Sequence, residues 1–326
     1  MRAKSYADQL DIIARATREH ADPGDGRIDF LLPETILETR YVNATADTDS
    51  LIVWFNASIN RAAKPIPAFT GMLSRFRKVA HQICIADPVL HRHPELRHSW
   101  YIGDQAVDLQ TAVSSFLKSL AAKLGVSRTI LVGGSAGGFA ALFHALHLPD
   151  SCAVALQPQT NISRHVYFKT YLQTCWGEQA QAALEARAVT DLCDAYGRGG
   201  GANVVYLQGM GDHVHYWNHC LPFMEAVNRA APEKAIFHVD FWGQFGHASI
   251  PPEVVTRWLQ ATLTAKTLAS RDILTAYHRL GQGHQPAPAP ALVPVPVPVP
   301  KSHRPEDIAI ANRIRDHFLT PERRGA

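Results

Sequence analysis

The sequence predicts an α/β protein whose mostly parallel central sheet is flanked by helices. Three observations support this fold class: short apolar segments recur along the chain, helical segments separate them, and one glycine-rich turn joins a strand to a helix. Such alternation is typical of a parallel sheet that is covered on both faces. The length of 326 residues allows one large domain or two small ones.

The first half of the chain supplies a leading hairpin and two buried strands. An N-terminal helical segment is predicted over 1–26, and two hairpin strands follow at 27–33 and 38–43. The segments at 51–55 and 82–87 are largely apolar and do not alternate with polar residues. This pattern is typical of strands that are buried on both faces of a sheet.

A helix and a third buried strand lead into the glycine-rich turn. Apolar residues at helical spacing predict a helix over 107–124, which ends at Gly125. The strand at 128–132 runs directly into the turn. The stretch 129–149 has no acidic or basic residue and is long enough to span a bilayer. Its four clustered glycines and two histidines favour a buried strand, turn and helix, so we expect no transmembrane segment.

The second half of the chain predicts three more strands, at 152–157, 202–208 and 235–241, with helical segments between them. The longer insertion at 159–201 is either a small helical cap over a site or an ordinary crossover with an extra helix. Residues 252–280 predict one or two final helices. These elements complete the sheet that the first half begins.

The C-terminal part differs in composition from the α/β domain, which is predicted over 27–281. Seven prolines fall within 286–300, so the segment 282–304 is expected to be a semi-rigid polyproline linker. The tail at 305–326 has apolar residues spaced for a short helix. This tail either docks on a protein partner or is poorly ordered.

The overall composition excludes several classes of protein. Hydrophobic residues make up 46% of the chain and charged residues 19%, which excludes a disordered or fibrous protein. The formal net charge of +3 is too small to indicate a nucleic-acid-binding protein. The five cysteines have no CxxC spacing, which is typical of core residues in a reducing compartment. The charged N-terminus lacks a signal sequence, and we expect a cytoplasmic protein.

The glycine-rich turn, Gly-Gly-Ser-Ala-Gly-Gly at 133–138, is the most specific motif in the sequence. It places Ser135 in a G-x-S-x-G pattern between a strand and a helix, which is the context of a nucleophile elbow. A phosphate-binding loop would require a lysine, and a dinucleotide-binding turn would require glycine at Ser135 or Ala136. A purely structural turn remains an alternative. The motif therefore predicts a nucleophilic serine.

A serine nucleophile needs a base and an acid, and the chain offers both after later strands. Asp212 follows the strand at 202–208, and His247 lies in a loop after the strand at 235–241. This order of Ser, acid and His is the one found in α/β-hydrolases. Asp240 is an alternative acid. The backbone N–H of Ala136, at a helix N-terminus, is the first expected donor to an oxyanion.

The second oxyanion donor is expected after the strand at 51–55. The N–H of Ala57 or Ser58 is the candidate, and Asn56 is expected to orient this loop and to contact substrate. The predicted reaction is acyl transfer: Ser135 attacks an ester carbonyl, His247 accepts its proton, and an acyl-serine forms. Water or a substrate hydroxyl then takes the acyl group.

The motifs GGSAGG, GMGD and FGH resemble the α/β-hydrolase superfamily across residues 27–280. One departure is the segment FNAS, which stands where that superfamily often has His-Gly. The segments ADPVL, SWYIGD and LQPQTNI resemble a bacterial group of these proteins associated with surface-polysaccharide biosynthesis. The resemblance implies a carbohydrate-linked acetyl ester as substrate, acetyl-CoA as the acyl donor if the protein is a transferase, no other cofactor, and four substrate-binding residues: Asp87, Trp100, Gln157 and Gln159.

Two rival interpretations remain open. A metal-dependent hydrolase is suggested by the dense cluster of Asp212, His213, His215 and His219, although Trp217 stands where a common binuclear pattern requires Asp. A non-catalytic binding module with a hydrolase-like fold is the second rival, and its tail would recruit a partner protein.

Overall fold

The computed structural model describes residues 8–11, 26–32, 34–177, 180–199 and 201–281. These residues all belong to one compact unit, Met1–Gly283. The predicted linker at 282–304, the tail at 305–326 and most of the N-terminal segment lie outside the described residues.

The core of the fold is an eight-stranded sheet with strand order β1-β2-β4-β3-β5-β6-β7-β8. The second strand is antiparallel to both its neighbours, and every later pair is parallel. The strands are β1 (Arg27–Leu31), β2 (Ile36–Val42), β3 (Ser50–Phe55), β4 (His81–Ile85), β5 (Arg128–Gly134), β6 (Ser151–Leu156), β7 (Asn203–Gly209) and β8 (Ala235–Asp240).

Helices cover both faces of this sheet. They are α1 (Val89–Arg92), α2 (Leu109–Leu124), α3 (Ala136–His147), α4 (Phe168–Trp176), α5 (Ala180–Glu185), α6 (Leu192–Gly197), α7 (Leu221–Ala230), α8 (Pro252–Thr264) and α9 (Ser270–Gly281). Short helical turns lie at Ser74–Phe76, Ile162–Arg164, His213–His215, Tyr216–Cys220 and Pro232–Lys234.

The ends of α2 show why the sequence forms a helix there. The Asp108 carboxylate accepts a hydrogen bond from the N–H of Thr111 at 3.0 Å, which satisfies a donor that the first turn leaves free. At the other end, Gly125 adopts a left-handed conformation with φ of 68°. Glycine takes this conformation without the steric cost that a Cβ would add, so the helix ends as the sequence predicts.

The strands are buried on both faces because successive side chains point to opposite sides of the sheet. In β3, Leu51 and Val53 join one apolar layer, whereas Ile52 and Trp54 join the other. The first layer contains the apolar face of α2, and the second contains residues of α8 and α9. Every residue of β3 is buried, which confirms the prediction made from its apolar pattern.

The observed elements confirm the predicted fold class and most of its strands and helices. The stretch 129–149 forms β5, the turn and α3, and no described helix is long and apolar enough to cross a membrane. The region 252–280 contains two helices. The insertion at 159–201 contains three short helices, of which α4 packs against the loop around Gly103 through the Tyr171 hydroxyl.

The glycines of the motif let α3 approach the sheet closely. A Cβ on Gly137 would lie 2.6 Å from the carbonyl oxygens of both Phe55 and Asn56, at the end of β3. Both are backbone atoms, which cannot move aside without shifting the strand end. A Cβ on Gly134 would meet its nearest atom, a backbone oxygen of Leu156, at an ordinary contact distance of 3.6 Å.

We predict that Gly137→Ala lowers the free energy of unfolding by roughly 1–3 kcal/mol, because the methyl group overpacks a rigid backbone contact. Gly134→Ala, three residues earlier in the same motif and at the end of β5, is the control and changes the free energy of unfolding by less than about 1 kcal/mol. Urea unfolding of both variants measures the difference. Equal free energies of unfolding for Gly137→Ala and Gly134→Ala would contradict the prediction, because they would show that α3 can move away from β3 without cost.

Candidate active site

Ser135 stands at a strained turn between β5 and α3. Its backbone has φ of 53° and ψ of −117°, a conformation that costs a non-glycine residue roughly 1–3 kcal/mol. The turn is held by a hydrogen bond from its N–H to the carbonyl of Leu156 at 3.0 Å. A Cβ on Gly133 would lie 2.1 Å from the carbonyl oxygen of Gly137, so only glycine fits inside the bend. The side chain is 7% exposed.

Among the described residues, the side chain of Gln159 is the hydrogen-bond partner of the Ser135 hydroxyl. The Gln159 Nε2 donates to Oγ at 2.9 Å, and its Oε1 accepts from the Trp100 indole N–H at 2.5 Å. Within the described part of the chain, no hydrogen bond joins Oγ to His247. The sequence resemblance implies that Gln159 and Trp100 bind substrate, but it does not predict the chain of hydrogen bonds that joins them to Ser135.

Asp212 and His247 meet at the same edge of the sheet. Asp212 follows β7, and the His247 Nδ1 lies 2.5 Å from its Oδ2. An ionised carboxylate only accepts hydrogen bonds, so the His247 Nδ1 carries the proton and Nε2 presents a lone pair. The alternative acid, Asp240, is exposed and accepts instead from the N–H of Phe241. The structure thus brings together the acid and base that the sequence pairs.

A second histidine, His215, shares the same carboxylate. Its Nδ1 lies 3.0 Å from Oδ2 of Asp212. Its ring stacks on that of His247, with centroids 3.9 Å apart and an interplanar angle of 13°. The His215 side chain is buried, whereas that of His247 is 41% exposed. From the sequence, His215 is predicted only as a possible metal ligand. Its position three residues after Asp212 gives no signal that its ring would share the carboxylate with His247.

The surroundings of Asp212 favour its ionised form. Burial opposes ionisation, but hydrogen bonds from His215 and His247 outweigh it and hold the pKa of this carboxyl well below its usual range. Burial lowers the pKa of His215, and it lowers the pKa of His165 to about 4 and of His219 to about 3. These three imidazoles are therefore neutral at neutral pH, whereas Asp212 is charged.

The loop after β3 lies where a second oxyanion donor is expected. In the described structure, neither Ala57 nor Ser58 uses its backbone N–H in a hydrogen bond. Asn56 anchors this loop: its Nδ2 donates to the carbonyl of Ala68 at 2.6 Å, and its Oδ1 accepts from the N–H of Thr70 at 3.0 Å. The Ala136 N–H lies at the start of α3, and the close contact at Gly137 brings that helix end to this loop.

The other two substrate-binding candidates use their polar groups on the protein itself. The buried Asp87 carboxylate accepts from the N–H and the hydroxyl of Ser99, at 3.1 and 2.6 Å, and burial raises its pKa. The Gln157 Oε1 accepts from the N–H of Gly209 at 3.1 Å, and its Nε2 donates to the carbonyl of Ala248 at 2.7 Å. Gln157 thus ties the loop of His247 to β7. A substrate contact for either residue stays a prediction.

The four residues of the metal alternative do not converge. The His219 Nδ1 accepts from the N–H of Thr160 at 3.2 Å, and among the described residues His213 joins no group of ligating side chains. Asp212, His215 and His247 do offer ligand atoms within 4.8 Å of one another. Both imidazole Nδ1 atoms are turned to the carboxylate as hydrogen-bond donors, which is the arrangement of two rings sharing one acceptor.

Comparisons with known proteins concern the fold. No protein-family model matches the chain, and no curated protein matches its sequence. The structure is similar to S-formylglutathione hydrolase from Agrobacterium tumefaciens, with a TM-score of 0.54 and 15% identity over 79% of this chain and 97% of that one. It is also similar to the capsule O-acetyltransferase of Neisseria meningitidis serogroup A, with a TM-score of 0.52 and 15% identity over 72% and 93% of the two chains.

A mutant of that acetyltransferase in complex with CoA matches with a TM-score of 0.50 and 14% identity over 79% of this chain and 94% of that one. The sheet order, the strained serine turn and these likenesses agree on one architecture. The chain has the α/β-hydrolase fold, as its sequence predicts.

Proposed function

We propose that the protein is a serine-dependent esterase or O-acyltransferase that works through an acyl-serine intermediate. The observation that carries this proposal is the Asp212–His247 pair at the edge of the sheet where Ser135 stands at its strained turn. The strands β5, β7 and β8 are parallel, so the residues that follow them lie at one edge. Ligands of open α/β sheets bind at this edge.

The proposed reaction begins when the His247 Nε2 removes the proton from Ser135 Oγ. The Oγ attacks the ester carbonyl carbon, and the negative charge on the carbonyl oxygen is held by the N–H of Ala136 and that of Ala57 or Ser58. Breaking the C–O bond of an ester releases the alcohol, and breaking the C–S bond of a thioester donor releases the thiol; either leaving group takes the proton from His247. Water or an acceptor hydroxyl then attacks the acyl-serine by the same steps, while Asp212 stabilises the imidazolium.

The proposed substrate is a carbohydrate-linked acetyl ester, with acetyl-CoA as the donor in the transferase form. This assignment draws on the resemblance of the sequence motifs and on the fold shared with a capsule O-acetyltransferase that binds CoA. Esterase and transferase use the same acyl-enzyme and differ in how water is excluded. Products from an activated acetyl ester, with and without an oligosaccharide acceptor, distinguish them. Free acetate as the dominant product at saturating acceptor would exclude the transferase.

We predict that Ser135→Ala abolishes labelling by a fluorophosphonate probe, because the probe needs an activated hydroxyl. Ser115→Ala, an exposed serine on α2, is the control and labels like the wild type. Labelling of the wild-type protein that persists in excess chelator would show that the reaction of the serine does not need a metal ion. Equal labelling of wild type and Ser135→Ala would remove the nucleophile from the proposal.

We predict that His247→Ala lowers kcat/KM for an activated acetyl ester by about 10³-fold, within the range of general-base catalysis. His215→Ala lowers it by less, because it removes a neighbour of the base and leaves the base in place. In the wild type, the lowered pKa of Asp212 keeps its carboxylate ionised across the neutral pH range, so protonation of this carboxyl does not limit kcat/KM there. A larger loss in His215→Ala than in His247→Ala would reassign the base.

A further inference from the structure

We propose that the side-chain amide of Gln159 is a catalytic hydrogen-bond donor to the reacting oxygen atoms at Ser135. In this role Gln159 holds Oγ before the attack and stabilises the oxyanion during it. The inference rests on the proposed function of Ser135 as the nucleophile. It adds a side-chain donor to the backbone donors expected at Ala136 and the loop after β3.

The orientation of the Gln159 amide is fixed by the group that its oxygen faces. The Trp100 indole N–H can only donate, and it lies 2.5 Å from Oε1. The amide nitrogen must therefore point the other way, where Nε2 lies 2.9 Å from Ser135 Oγ. The opposite amide orientation would set two donors against each other at Trp100. Oγ is thus an acceptor from Gln159.

The second hydrogen of the same amide has a partner in His215. The His215 Nε2 lies 3.4 Å from the Gln159 Nε2. Because the His215 Nδ1 donates to the carboxylate of Asp212, its Nε2 is the unprotonated nitrogen and accepts. The backbone N–H of Gln159 also donates to the carbonyl of Ser135 at 3.2 Å. The side chain is 1% exposed, so the whole amide is held in place before substrate binds.

This placement favours the transition state over the ground state. During the attack Oγ becomes an ester-like oxygen and a weaker acceptor, while the carbonyl oxygen becomes negatively charged. Both oxygens are bonded to the same carbon, so the role proposed for Gln159 requires the carbonyl oxygen to lie on the side of Oγ that faces the Gln159 amide. A hydrogen bond to a charged oxygen is stronger than one to a neutral hydroxyl. Because the amide is preorganised, little reorganisation is needed when this charge develops.

The segment after β3 gives an independent reason to look for such a donor. The sequence there is Phe55-Asn56-Ala57-Ser58, and the amide of Asn56 is already bonded to Ala68 and Thr70. That side chain is therefore not free to reach a substrate oxygen. Gln159 is the side-chain amide that contacts the Ser135 hydroxyl.

The test compares Gln159→Leu and Gln159→Glu with the wild type on an activated acetyl ester. Both variants lose the donor, and we expect kcat to fall by about 10²-fold or more, as when one oxyanion donor is removed. The KM changes little, because the interaction is made mainly in the transition state. Trp100→Phe keeps Gln159 but frees its amide to turn, so its kcat falls by less.

The matched control is Gln110→Leu. Gln110 is also a buried glutamine, and both ends of its amide bond to the backbone of Val189, away from Ser135. This variant loses a buried amide and keeps its kcat. Thermal unfolding of all four variants shows whether they are folded. If Gln159→Leu does not fold, the polar and similarly sized Gln159→Glu supplies the measurement.

The outcomes separate this inference from the proposed function. Fluorophosphonate labelling of wild type and loss of labelling in Ser135→Ala establish the nucleophile independently of Gln159. With that result in hand, an unchanged kcat in both folded Gln159 variants would overturn the inference alone. A raised KM with unchanged kcat would also overturn it, since that result is expected of a substrate-binding residue. Labelling that survives Ser135→Ala would overturn both proposals.

Discussion

A close backbone contact joins the start of α3 to the strand ends below it, and the site depends on this contact. The positions that a Cβ would take on Gly133 and Gly137 are filled by carbonyl oxygens. Because neither glycine carries a side chain, the chain can turn sharply between β5 and α3. Ser135 takes the strained backbone conformation of that turn. The same contact brings the N-terminus of α3 against the loop of Asn56. One steric constraint therefore places Ser135, the N–H of Ala136 and the loop of Asn56 close together.

The second constraint is the sharing of one carboxylate by two imidazoles. Asp212 stays ionised because two N–H donors compensate for its burial. The His215 ring stacks on that of His247 and is kept neutral by its own burial, so it adds no positive charge beside His247. His165 and His219 are neutral for the same reason. The negative charge of Asp212 thus faces His247 with neutral imidazoles around it.

Much of this arrangement follows from local sequence. Apolar runs predict the strands because strands buried on both faces cannot alternate, and the parallel sheet then places Asp212 and His247 at one edge. The contacts of Gln159 and His215 could not be predicted in this way. Gln159 reaches a serine 24 residues away and a histidine 56 residues away. Such contacts depend on side-chain rotamers and on how the segments that follow β5 and β6 meet. The pattern of residues along the chain does not encode either of these.

The position of the insertion connects these contacts to the rest of the fold. Gln159 stands at the beginning of the insertion, and Trp100, which orients its amide, packs edge-on against Tyr171 of α4 at 5.3 Å. The Tyr171 hydroxyl in turn donates to the carbonyl of Gly103 at 2.8 Å. A displacement of α4 would therefore move Trp100, release the Gln159 amide and change the hydrogen bond at Ser135. Through Trp100 and Gln159, the insertion is thereby connected to the hydroxyl of Ser135.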